Sequence, residues 1–105
     1  MSRLKEKIDT GDFIVTAELG PPRSASPRSI IKKVTYFQDG VDAVNITDNQ
    51  TAIVRLSSIA AAAIVREHGL EPVIQMTCRD RNRIAIQGDL LGAAALGIEN
   101  VLCLT

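Results

Sequence analysis

Glu18 ends a strand-forming run, FIVTAEL (residues 13–19), directly before Gly20, Pro21, Pro22 and Arg23. A carboxylate at such a place is exposed, paired or put to use. Its dull alternatives are an exposed strand end or an ion pair with Arg23 or Arg79. Two further stretches carry chemistry. NITDNQ, residues 45–50, puts five hydrogen-bonding side chains in six residues where a strand becomes a loop. Strand alternation turns Thr47 inward, whereas Asp48 and Asn49 read as turn residues. QMTCRDRNR, residues 75–83, sets Arg79, Arg81 and Arg83 around Asp80 behind another strand end. Three guanidinium groups suit a phosphate or a carboxylate, but the expected role is a solvated loop with Asp80 as partner.

Other chemistries find little support. Cys78 and Cys103 have no CxxC spacing, so neither a disulfide framework nor a zinc site is expected, and a reducing cytoplasm is the expected compartment. His68, the single histidine, falls at a helix end away from both cysteines, which argues against a Cys–His nucleophile. No metal site stands out. A formal net charge of +0 argues against nucleic acid. No run is long and apolar enough to span a bilayer, and the charged N-terminus lacks the apolar core of a signal peptide.

The elements that position these residues alternate. A short charged helix covers residues 2–9. Strands follow at Phe13–Leu19, Asp42–Thr47, Pro72–Thr77 and Asn100–Thr105, with helices between them at Ser26–Gln38, Thr51–His68 and Asn82–Leu96. Ser26 suits an N-cap, Pro27 the first helical position, and Gly69 and Gly97 suit C-terminal stops. The 105 residues make one domain, 1–105, whose 46% hydrophobic content includes only 3% aromatic residues. Ile, Val, Leu and Ala must therefore build the core, as they do in helix-covered parallel sheets.

Strict strand–helix alternation predicts an α/β fold with parallel strands and right-handed crossovers. An open doubly wound sheet and the first half of an eight-stranded barrel both fit. Alternation puts Ile14, Thr16 and Glu18 on one face of the first strand, with Ala43, Asn45 and Thr47, Val73, Gln75 and Thr77, and Val101, Cys103 and Thr105 on the matching faces. Leu102 and Leu104 are then expected under the helices. Polar strand ends on all four strands favour the barrel, because its mouth collects every C-terminal strand end. An open sheet needs such residues only beside its switch point, and no GxGxxG follows the first strand.

TAELGPPR, VDAVNITDNQ, QMTCRDRNRIAIQGDLLGAAALGI and NVLCLT, in this order, resemble the methylenetetrahydrofolate reductase family over nearly the whole chain. The resemblance implies the N-terminal half, about four βα units, of a TIM-type (β/α)8 barrel. It implies FAD at the C-terminal strand ends and reduction of 5,10-methylenetetrahydrofolate to 5-methyltetrahydrofolate. By position, Glu18 matches the family's general acid and Thr47 a flavin contact. Gln75 stands where some relatives carry a histidine touching the cofactor; an amide makes contact but does not titrate. Family members continue after the fourth strand with Gly-Asp, and this sequence stops at Thr105, so a barrel fragment inactive by itself is expected. The implied partners are a folate substrate, an electron donor (NADH, NADPH or a ferredoxin-linked protein) and further copies of the chain. Two alternatives stay open: a non-catalytic half-barrel that self-associates, and the reductase module of a fused methyltransferase.

Overall fold

A computed structural model describes residues 2–105; Met1, counted in the domain above, lies outside the described residues. Helix α1 is Arg3–Thr10, and the Ser2 hydroxyl caps it by accepting from the Lys5 N–H at 3.0 Å. Strand β1 (Thr16–Leu19) leads to α2 (Arg28–Phe37), β2 (Ala43–Ile46), α3 (Ser58–Glu67), β3 (Pro72–Thr77), α4 (Arg83–Ala95) and β4 (Val101–Leu104).

Three boundaries differ from the expectation for physical reasons. β1 starts at Thr16 because pairing begins only where β2 lies alongside. Before it, the Asp42 N–H donates to the Val15 carbonyl at 2.7 Å, and Phe13 projects into solvent. α2 has Pro27 at its N-cap and no side-chain cap, while the Ser26 hydroxyl accepts only from the Arg28 N–H at 3.4 Å. α3 starts seven residues late. Thr51 and Ala52 sit at φ 59° and 58°, which no α-helix admits. The chain there forms a short 3₁₀ turn, Gln50–Ala52, and Ser57 then caps α3 through the Ala60 N–H at 3.2 Å.

All strand pairs are parallel, in the order β1-β2-β3-β4. Sequential order without a reversal is barrel order; a doubly wound sheet reverses at its switch point. The architecture is the N-terminal half of a TIM-type barrel, with α2, α3 and α4 as connections. The core lies between sheet and helices. Leu19, Val44, Ile46, Ile74 and Met76 pack against Ile30 and Val34 of α2, Ala61, Ala62 and Val65 of α3, and Ala93 of α4. Each fully buried large aliphatic side chain is worth about 1.5–3 kcal/mol. The alanines of α3 let its backbone approach the sheet closely.

The N-terminal end of the sheet is held by ion pairs. Glu71, buried at the start of β3, accepts from the Leu4 N–H (3.2 Å) and the Asn100 side-chain amide (2.9 Å) and lies 3.4 Å from Arg3 Nε. Asp42 pairs with Lys7 and accepts from the Val15 N–H at 2.9 Å. These contacts fix α1 beneath the sheet, at the end where barrels invest in stability.

Candidate active site at the C-terminal strand ends

Paired residues of a parallel sheet put their side chains on the same face. Glu18 pairs with Asn45, and Asn45 with Val73. One step further along, the register aligns Gly20 with Thr47 and Thr47 with Gln75, and Gln75 pairs with Leu102. Glu18, Thr47 and Gln75 therefore share the helix-free face, Thr47 and Gln75 in one row and Glu18 in the row below. Adjacent strands lie about 4.8 Å apart, so one small-molecule ring spans all three.

The three differ in their surroundings. Glu18 is exposed, and among the described residues neither Arg23 nor Arg79 pairs with it. Gln75 is half-buried. Thr47 is 5% exposed, and its hydroxyl is shut off from solvent with no hydrogen-bond partner among the described residues. A buried hydroxyl without a partner costs about 1–3 kcal/mol. Thr77 is the contrast. Its hydroxyl donates to Asp48 Oδ2 at 3.2 Å and is spent within the fold.

The fourth strand corrects the expected facing. Ile74, Gln75, Met76 and Thr77 pair with Val101, Leu102, Cys103 and Leu104. Leu102 and Leu104 thus join the row of Gln75 and Thr77, and Thr105 does not belong to the polar face. The sequence VLCL is apolar in both phases, and every residue of β4 is exposed, so alternation there carried no facing signal. Three strands, not four, supply polar ends.

Asp48 is the second correction. It is not a surface turn residue: its side chain is 1% exposed and bridges β2 to β3. It accepts from the Thr77 N–H at 2.9 Å and from Arg81 at 2.5 and 3.3 Å. Arg81 also donates to the Thr77 carbonyl (2.8 Å) and to Asp89 (3.0 Å). Burial works to raise the Asp48 carboxyl, but the Arg81 guanidinium and the Thr77 N–H outweigh it and hold it below its usual range. Arg81 is raised in turn, chiefly by its hydrogen bond to Asp48. Arg81 is thus a strut between strand ends rather than a free anion ligand. Arg79 pairs with Asp80 at 2.9 Å as expected, and Arg83 is exposed. The sequence signal for the strut was an aspartate after an inward threonine, matched by arginines after the next strand.

The loop behind Thr47 is tightly built. Asn49 sits at φ 45°, and its carbonyl side chain accepts from the Arg55 N–H at 2.8 Å. The Leu56 N–H donates to the Pro22 carbonyl at 2.8 Å, which ties this loop to the GPPR turn. Cys78 is exposed, and His68 caps α3 with its ring nitrogen 2.9 Å from the Ile64 carbonyl. Among the described residues no cluster of His, Cys, Asp and Glu is placed to hold a metal, and no helix is long and apolar enough to cross a membrane.

A family model for methylenetetrahydrofolate reductase matches residues 3–105. The chain belongs to the methylenetetrahydrofolate reductase family. The match covers every element described, from α1 to β4, and includes Glu18, Thr47 and Gln75. Membership makes oxidoreduction, in the manner of a methylenetetrahydrofolate reductase, the chemistry of the protein to which these elements belong.

Proposed function

We propose that the helix-free face binds FAD and a folate, and that the protein reduces 5,10-methylenetetrahydrofolate to 5-methyltetrahydrofolate with electrons from NAD(P)H or a redox protein. The observation that carries this reading is the shared face: a carboxylate stands one row below a half-buried amide and a buried hydroxyl, and among the described residues the carboxylate has no ion-pair partner and the hydroxyl no hydrogen-bond partner.

Thr47 and Gln75 fit the cofactor. A hydroxyl both donates and accepts, an amide side chain does the same, and among the described residues the Thr47 hydroxyl has no partner while Gln75 is half-buried. When bound, the flavin supplies a hydride. Glu18 Oε supplies the proton. Opening the five-membered ring of the substrate breaks one carbon–nitrogen bond at the bridging methylene, and the departing nitrogen takes the proton from Glu18. The carbon left behind is an iminium that accepts hydride. The step therefore needs a proton donor within hydrogen-bond reach of that nitrogen, and Glu18 is the carboxyl group on this face. The Asp48–Arg81 strut keeps Thr47 and Gln75 in register through the ends of β2 and β3. Glutamine at position 75 supplies hydrogen bonds and no proton.

The test is anaerobic. Protein of native length is loaded with FAD, reduced with NADH or NADPH, and mixed with methylenetetrahydrofolate. Formation of one 5-methyltetrahydrofolate per reduced flavin supports the reading. Failure to bind flavin, or reduced flavin that stays reduced with the folate present, would defeat it.

A further inference from the structure

Gly20 lies between Glu18 and the GPPR turn, in the row of Thr47 and Gln75. Two usual reasons for a glycine do not apply. Its backbone is outside the left-handed region occupied by Gly11, Gly69 and Gly97. A Cβ built there would meet nothing closer than 3.8 Å, an ordinary van der Waals distance. What the glycine leaves is a methyl-sized gap, and polar side chains border it. Thr47 Oγ1 and Gln50 Nε2 each lie 3.8 Å from that Cβ position, and Gln50 Oε1 lies 4.0 Å from it.

Both polar side chains are unused among the described residues, where the Thr47 hydroxyl is buried without a partner. The Gln50 side chain is exposed and makes no hydrogen bond among the described residues, so it can turn at little cost. The 3₁₀ turn that carries it is held in place by the Asn49–Arg55 and Leu56–Pro22 bonds.

We propose that Gly20 and Gln50 are ligand-contact residues: together with Thr47 they form a notch above Glu18 that receives the lactam edge, N–H beside C=O, of a planar heteroaromatic ring. The glutamine amide offers a donor and an acceptor side by side, the complement of a lactam. The missing Cβ leaves the strand end beside the buried hydroxyl without a side chain of its own. Isoalloxazine and pterin rings both carry such an edge. The inference rests on the functional reading above and adds two residues to its site.

The experiment uses protein of native length as wild type, Gly20→Ala and Gln50→Leu. FAD binding is followed by fluorescence quenching, folate binding by calorimetry with 5-methyltetrahydrofolate, and apo stability by thermal melting. Gln50→Leu is expected to weaken one ligand about three- to tenfold, the effect of one neutral hydrogen bond, and Gly20→Ala to weaken the same ligand by about tenfold or more. Apo melting stays at the wild-type temperature, because a methyl group at Gly20 meets only ordinary contacts. Loss confined to FAD assigns the notch to the flavin, and loss confined to the folate assigns it to the pterin. In either case the side-chain amide signals of Gln50 shift when that ligand saturates the wild type. Two variants that bind both ligands within about twofold of wild type would overturn the notch while leaving the reductase reading in place. Lowered apo melting that accounts for the lost affinity would overturn it too. A wild type that binds neither ligand would defeat the reductase reading and the notch with it.

Discussion

Asp48→Ala removes the group on which the ends of β2 and β3 both depend. The carboxylate accepts four hydrogen bonds, two from Thr77 and two from Arg81, and is 1% exposed. Its loss orphans the buried Thr77 N–H, at about 1–3 kcal/mol. Arg81 loses its main partner but keeps Asp89 and the Thr77 carbonyl, and at 14% exposure it is also partly solvated. That term is therefore nearer 1–2 kcal/mol than the 3–5 kcal/mol for breaking a fully buried pair. The sum is about 3 kcal/mol. Asp48→Asn keeps an acceptor for the Thr77 N–H and loses only the charge, so it should cost about half as much. Urea denaturation of the three proteins measures both values. A second route is the Asp48–Arg81 double-mutant cycle, in which coupling of about 1–2 kcal/mol is expected. If Asp48→Ala lies within about 0.5 kcal/mol of wild type, as surface turn substitutions usually do, the strut does not exist.

Acid should separate wild type from Arg81→Met by the size of the slope. Asp48 is held below its ordinary value of 3.8, so its contribution is complete above that value and is lost as pH falls through the lowered one. Without Arg81, the carboxyl loses the hydrogen bond and the charge that do most to lower it and keeps only the Thr77 bonds against burial, so the stability lost on acidification through Asp48 should shrink. Melting from about pH 7 to pH 3, each variant referenced to wild type, reads the difference; parallel curves would contradict it. Gly97→Ala should destabilise by about 1–2 kcal/mol. Its φ is 78°, and its Cβ would come within 2.7 Å of the Arg66 guanidinium. Chemical denaturation checks this, and an unchanged midpoint would count against it. Thr47→Val fills the same volume and removes a hydroxyl that has no partner among the described residues. Apo stability should hold or rise slightly while FAD affinity falls about three- to tenfold. A stability loss above about 1 kcal/mol would show that the hydroxyl serves the fold instead.

The legible parts of the sequence were those where burial is one-sided. Strands β2 and β3 have helices on one face and none on the other, so Asn45, Thr47 and Gln75 announced their side by alternation, and the register confirms it. Every residue of β4 is exposed, and its apolar residues alternate with other apolar residues, so its facing could not be read. The start of α3 was hidden for a different reason. Thr51, Ala52 and Ile53 continue an apolar helical pattern, and nothing in their side chains signals the positive φ that stops it. Asp48 looked like a turn residue because loop composition is local. Its partner Arg81 is 33 residues away and meets it only once β2 and β3 pair. Glu18 lies at the end of β1 on the helix-free face, and its exposure is the open strand end that the sequence had also allowed.

The most direct measurement is flavin reoxidation in Glu18→Gln. The variant, at native length and reduced under anaerobic conditions, is mixed with methylenetetrahydrofolate in a stopped-flow instrument. Unchanged FAD binding with reoxidation slowed by about 10²–10⁴-fold, the range of a lost general acid, is the predicted result. Reoxidation at the wild-type rate would contradict Glu18 as the proton donor and, with it, the placement of the reaction on the helix-free face of this sheet.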